Sequence, residues 1–283
     1  MVRNIFIFLI LQTLLWAEPN ITNNLFLYYY DYENGLPSNL VKVITQDNNG
    51  FIWIGTDGGL VRFDGQNFKI FNEHLPSLYL KNITCKKDTI FAVTDLGIVR
   101  IYTKDAIRTT TALLLPGSST LKDSILYYPK SLFLSQSGDY WIAEPFSIVR
   151  YRPGTRYFKR YVFPREYEGT SYLHSFLFLQ DSLQNVFALS QNFQLLQYNA
   201  RLDSFQEIPL SKRSNPKAAG ALLKINTHSW LVGGMNGLYL LRQNPVTQKW
   251  SLTKTLDLAN ISAIARGSSG NYLIGSIDKG LYW

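Results

Sequence analysis

One pattern constrains this chain more than any other: a unit of four short apolar runs that returns six times. In its clearest copy, residues 41–71, the runs are separated by breaks rich in Asp, Asn and Gly. Trp53, in the second run, recurs as Phe91, Trp141, Phe187, Trp230 and Leu273, at spacings of 38, 50, 46, 43 and 43. The step Gly59-Leu60 recurs as Gly97-Ile98, Ser147-Ile148, Leu195-Leu196, Gly237-Leu238 and Gly280-Leu281, at spacings of 38, 50, 48, 42 and 43. Two independent landmarks thus keep one period. The runs are too short to be helical repeats, which need apolar residues at i, i+3 and i+4 over a dozen positions. Asn-Gly and Asp-Gly at the breaks accept the positive φ that tight hairpins demand.

Four strands at a period of 40–50 residues predict an all-β fold, a β-propeller of four-stranded blades with six repeats. The sixth copy reaches the final residue, Trp283, without an outermost strand, and the run Asn24 to Tyr32 is a spare strand ahead of the first copy. The expectation is a six-bladed ring closed by that N-terminal strand, or a truncated seven-bladed ring. Pairing the N-terminal strand into the last blade would hide an exposed edge.

Composition narrows the setting. Apolar residues make up 46% of the 283 and charged residues 17%, a balance that excludes disorder. Arg3 followed by an apolar run from Ile5 to Ala17 reads as a secretory signal peptide. The domains are then a signal peptide, 1–17, and a propeller, 18–283, placed in the periplasm or outside the cell. Cys85 is the single cysteine, so no intrachain disulfide forms. The formal charge of +8 favours anionic partners. Much of it lies in Arg150, Arg152, Arg156, Lys159, Arg160 and Arg165, interleaved with Tyr151, Tyr157, Phe158 and Tyr161. This stretch reads as an outer strand with a solvated face; in an exported chain the alternative is a surface for an anionic glycan or a membrane, rather than nucleic acid.

The residues Asn34-Gly-Leu-Pro-Ser-Asn-Leu-Val41, and Asp47-Asn-Asn-Gly-Phe-Ile-Trp-Ile-Gly-Thr-Asp-Gly-Gly-Leu-Val-Arg-Phe-Asp-Gly65 after them, resemble the two-component-regulator propeller repeat. That repeat is typical of periplasmic sensor regions of Bacteroidetes-type histidine kinases. The resemblance implies ligand detection by this region. It places the kinase in a part absent from this chain or in a partner protein, with any dimer formed through the full-length receptor. No cofactor or metal is implied, and no catalytic residues.

A ligand would meet the loops at the mouth of the channel. The turns after each second strand present Asp57, Asp95, Glu144, Asn192, Asn236 and Asp278, a ring of carboxylates and amides able to bind sugar hydroxyls or a cation. The same residue types are what β-turns select on their own account. Residues 103–128 form the longest connection between blades, and Tyr127 and Tyr128 at its end either stack on a sugar or begin the next strand. Trp53, Trp141 and Trp230 are expected in the core between blades. The expected ligand is a small polar solute or glycan. The alternatives are an exported glycan lyase or glycosidase, and a protein-interaction scaffold.

Overall fold

The computed structural model describes residues 30–73, 75–103, 108–114, 125–155, 157–164, 176–212, 215–266 and 270–282. Blade 1 comprises β1 (Val41–Gln46), β2 (Ile52–Thr56), β3 (Gly59–Phe63) and β4 (Phe68–Ile70). Blade 2 comprises β5 (Leu80–Lys86), β6 (Thr89–Thr94), β7 (Gly97–Tyr102) and β8 (Arg108–Leu114). Blade 3 comprises β9 (Ser131–Leu134), β10 (Tyr140–Glu144), β11 (Ser147–Arg152) and β12 (Tyr157–Val162). Blade 4 comprises β13 (Phe176–Gln180), β14 (Val186–Ser190), β15 (Leu195–Asn199) and β16 (Ser204–Ile208). A short β17 (Leu210–Lys212) follows, then blade 5 with β18 (Ala221–Asn226), β19 (Ser229–Gly234), β20 (Gly237–Gln243) and β21 (Trp250–Leu256). Blade 6 has β22 (Ile261–Arg266), β23 (Tyr272–Ser276) and β24 (Gly280–Tyr282).

Within a blade each strand pairs antiparallel with the next, in four-stranded sheets for blades 1–4. Two sheets depart from four strands. β17 leaves blade 4 and pairs parallel with β21, which makes blade 5 a five-stranded sheet that clasps its neighbour. Blade 6 has three strands among the described residues, as its sequence implies. The segment read as a 26-residue loop, 103–128, contains β8, because Arg108–Leu114 pair along β7 as the outer strand of blade 2.

The local chemistry of the first hairpin shows how the repeat folds. Asp47 closes the turn after β1: its Oδ1 accepts from the amides of Asn49 and Phe51, at 2.9 and 3.0 Å. Its Oδ2 accepts from the Trp53 indole at 2.8 Å, which locks the core ring to the turn. Gly50 holds φ +89° in that turn, a left-handed conformation that glycine adopts without penalty.

The core lies in the seams between consecutive blades. Trp53, 1% exposed, packs against Leu80, Ile83 and Ile90 of blade 2. Trp141, also 1% exposed, meets Phe176, Val186 and Ala188 of blade 4. Trp230 and Trp250 join Phe187 across the seam of blades 4 and 5. All three tryptophans are core residues. Among the described residues no comparable packing joins blade 6 to blade 1. On that side of blade 1, Leu36, Ile54 and Val61 form a small cluster of their own, while Val41, Ile44 and Ile70 are exposed. Most of the closing strand expected at 24–32 lies outside the described residues. At its described end, Tyr30 packs edge-on against Phe63 and Phe68 of blade 1, and Tyr32 starts a single 3₁₀ turn, Tyr32–Asn34, not a strand.

Candidate functional site

The inner strands of blades 2–6 surround a cavity of about 500 Å³. Its walls are mostly aliphatic and aromatic, with Asn82, Thr84, Ser131 and Ser262 as polar points. Among the described residues no charged side chain lines it. The Thr84 hydroxyl donates to the Leu132 carbonyl at 2.9 Å and so ties two inner strands together. The Ser131 Oγ is buried with no hydrogen-bond partner. Cys85 lines the wall as a free thiol, and burial pushes its pKa up against a weak contact to the Thr45 hydroxyl.

Antiparallel pairing brings the start of each inner strand beside the end of the second strand, so one end of the cavity is ringed by the turns between second and third strands. All six ring residues foreseen from sequence sit at that end, but they do different things. Asp57 lies 3.7 Å from the Lys42 ammonium. Asp95 forms no ion pair among the described residues, and its Oδ1 is buried without a hydrogen-bond partner. Glu144 ends β10 rather than sitting in the turn, and it is fully buried. Its carboxylate accepts from Arg160, the Ser147 hydroxyl and the Tyr127 amide, at 2.8, 2.8 and 2.6 Å. Those bonds make Glu144 a brace for the loop that precedes β9. Asn236 is a staple of the same kind, since it accepts from the Lys217 amide and the Tyr239 hydroxyl and donates to the Asn215 carbonyl. Asn192 is exposed. Asp278 is exposed, and the Ser276 hydroxyl, helped by Asn260, holds its carboxyl below the usual range. Tyr127 and Tyr128 precede β9 and are 56% and 46% exposed at the rim.

The basic stretch of blade 3 differs from the solvated strand expected of it. Arg150 and Arg152 lie on β11 and Lys159 and Arg160 on β12, and each is matched with a carboxylate. Asp139, 2% exposed, takes the Arg150 and Arg152 guanidiniums. Burial raises its pKa, but the hydrogen bonds from Arg152 and Arg150 outweigh that and hold the carboxyl below the ordinary range. Asp203 accepts from Tyr157, Tyr161 and Tyr198 at 2.7, 2.6 and 2.7 Å and from Lys159 at 2.7 Å. Burial and the bond to Asp203 together push Tyr198 up to about 12. With Arg160 set apart at Glu144 on the mouth side, the Asp139 and Asp203 network sits at the opposite end of the strands. It fastens blade 3 to blade 4, and its side chains are engaged with one another. Arg156 and Arg165 lie outside the described residues.

Residues 35–58 match the family described as two component regulator propeller. The first blade carries a two component regulator propeller repeat. The match spans the turn into β1, the Asp47 hairpin and the Trp53 strand, the parts whose hydrogen bonds are described above. Two solved structures of similar shape are extracellular domains from B. thetaiotaomicron, both assigned to hybrid two component systems. One is 21% identical with a TM-score of 0.64, over 88% of this chain and 32% of that one. The other is 17% identical with a TM-score of 0.68, over 90% and 34%. The chain thus spans about a third of the length of these relatives in shape. Virginiamycin B lyase from Staphylococcus aureus is also similar, at 16% identity and a TM-score of 0.58, over 83% of this chain and 76% of the lyase. At such identities the likeness concerns the fold. No curated protein matches the sequence. No helix among the described residues is long and apolar enough to cross a membrane.

Proposed function

We propose that this chain is the extracytoplasmic sensor propeller of a two component signalling system. It binds a carbohydrate or similar polar solute at the channel mouth and hands the signal to a kinase region outside these residues or to a partner protein. The observation that carries this reading is the cavity of about 500 Å³ at the centre of a propeller whose first blade bears the regulator repeat. Small-molecule sites are concave and mostly apolar, with a few convergent polar groups and volumes of roughly 300–1,000 Å³. Asn82, Thr84, Ser131 and Ser262 supply such groups without fixed charge. Export, on this reading, follows from the leader at 1–17.

The test is calorimetric titration of the whole chain with a panel of neutral and charged oligosaccharides, followed by analysis of the recovered sugar. Binding with the sugar returned intact supports the sensor. A panel that never binds overturns it, and cleavage of a fragment moves the chain to the glycan lyases or glycosidases. Within the ring, Asp57→Asn and Asp278→Asn are expected to weaken binding with the melting temperature unchanged. Normal binding by both variants removes these two residues from the site.

A further inference from the structure

Among the described strands, β17 is the one that pairs parallel and across two blades. After Ile208 the chain turns at Pro209 and lays Leu210 opposite Trp250 of blade 5. This strap forms one wall of a cavity of about 730 Å³ on the outer side of the seam between blades 4 and 5. The cavity has no wall residue in common with the central channel.

Its walls are apolar where they are deepest. The rings of Phe187 and Trp250, both buried, meet edge-on with centroids 4.9 Å apart, and both border the space. Ile208 and Leu210 border it from the strap. Carboxamides supply the polar part. Gln243 is 4% exposed; its Nε2 donates to Gln248 Oε1 at 2.8 Å, while its own Oε1 accepts no hydrogen bond among the described residues. Gln197, half-buried on β15, makes no side-chain hydrogen bond among the described residues. A buried amide oxygen without a donor carries a desolvation cost that a ligand O–H removes. Among the described residues no carboxylate lines the cavity, and Lys249 stands exposed at its edge. An acceptor oxygen in the wall disfavours a carboxylate there and favours a neutral donor.

We infer that this outer cavity is a second ligand site, for a small neutral aromatic alcohol. Its ring packs on Trp250 and Phe187, its hydroxyl donates to Gln243 Oε1, and Gln197 completes the polar side. The volume lies within the roughly 300–1,000 Å³ of small-molecule sites, which join apolar walls to a few placed polar groups in the same way. The site goes beyond the sensor reading and does not depend on it, because it lies apart from the channel and its mouth.

The test titrates the whole chain calorimetrically with naphthalene, 2-naphthol and 2-naphthoate, which share one ring system. 2-Naphthol is expected to bind about 10-fold tighter than naphthalene. Ser211→Trp, at an exposed position on the cavity wall, fills the space and is expected to cost at least ~10-fold in affinity at an unchanged melting temperature. Gln197→Leu keeps the ring contacts and is expected to narrow the preference for 2-naphthol over naphthalene by ~3-fold or more. Asp57→Asn, at the mouth, should bind 2-naphthol as the parent does. If 2-naphthol does not bind, or binds Ser211→Trp and Gln197→Leu as tightly as the parent, the site is wrong. Tighter binding of 2-naphthoate than of 2-naphthol overturns the neutral class. None of these results alters the oligosaccharide titration, so this inference and the sensor reading fail separately.

Discussion

The seam between blades 3 and 4 and the uncovered side of blade 1 are made from the same repeat, yet they are finished differently. In the former, Trp141 is enclosed by Tyr198, Phe205 and Tyr161, with centroids at 4.7, 5.5 and 6.3 Å. Asp203 accepts from the Tyr161 and Tyr198 hydroxyls of that cluster, and Asp139 accepts from the neighbouring Arg150 and Arg152. In the latter, Ile54 and Val61 are covered by Leu36 and residues of their own blade, and Ile44 stands 62% exposed. A blade thus supplies half of a core, and the half is worth little until another sheet closes on it. Stability should therefore be graded around the arc, highest where two faces meet, as they do around Trp141, even though its indole N–H is buried with no hydrogen-bond partner among the described residues.

The largest effect is expected from Trp141→Ala, which empties the closed seam. Loss of a buried Trp typically costs about 3–5 kcal/mol. Chemical denaturation should show this as a lower midpoint with binding at the mouth retained where the chain still folds. A loss no greater than that at the open side would remove the contrast. Next comes Asp203→Ala, which leaves three tyrosine hydroxyls and Lys159 without their shared acceptor, and a loss of about 1–3 kcal/mol is expected. Tyr157→Phe, which removes one donor and keeps the ring, should cost less than that. An equal loss would mean that the single bond from the Tyr157 hydroxyl carries the whole effect of the carboxylate.

Acid should erode the two regions unequally. Asp139 and Asp203 both have pKa values lowered in the fold: burial raises each, and donors from Arg152 and Arg150, or from Lys159 and the tyrosines, outweigh it. A lowered carboxylate contributes stability in full above its unfolded value, near pH 4, and loses it as pH falls through the folded value. Stability of the closed seam should fall below about pH 4, while on blade 1 the lowered carboxylate is the exposed Asp64, held down mainly by the amides of Asn67 and Gln66 and joined to no second blade. Near-ultraviolet circular dichroism, compared between the parent and Trp141→Phe, reports the seam. A flat acid limb would show that the network is neutral in its effect on folding.

How much of this was legible beforehand divides along the same line. All six Gly-Leu-type steps begin a third strand, and all six Trp53-type positions lie in second strands, because turn chemistry and alternation are local and repeat with the chain. The role of Asp47 follows from the same hairpin. Cross-blade pairing was not legible. Nothing around Leu210 announces that it will lie parallel to Trp250, and the partners of Arg150 stand 11 and 53 positions away, in the turn before β10 and in a turn of the next blade. The turn residues marked the mouth but not their tasks: Glu144 and Asn236 brace loops, which depends on loops of unequal length meeting in space.

The smallest effect expected is also the one that bears hardest on the ring. Ile44 lies on β1 with its side chain toward the uncovered side, beside Ile52 and Phe63. If that side faces water in solution, Ile44→Ala removes little buried surface and should change stability by no more than about 0.5 kcal/mol. If another sheet or strand covers it, the same change empties a packed site and should cost about 2–5 kcal/mol. Denaturation of the parent and the variant side by side separates these outcomes. Hydrogen exchange of the β1 amides gives a second measure, with fast exchange expected at an open side. A large loss together with protected amides would make blade 1 as enclosed as blade 4, and the grading around the arc would vanish.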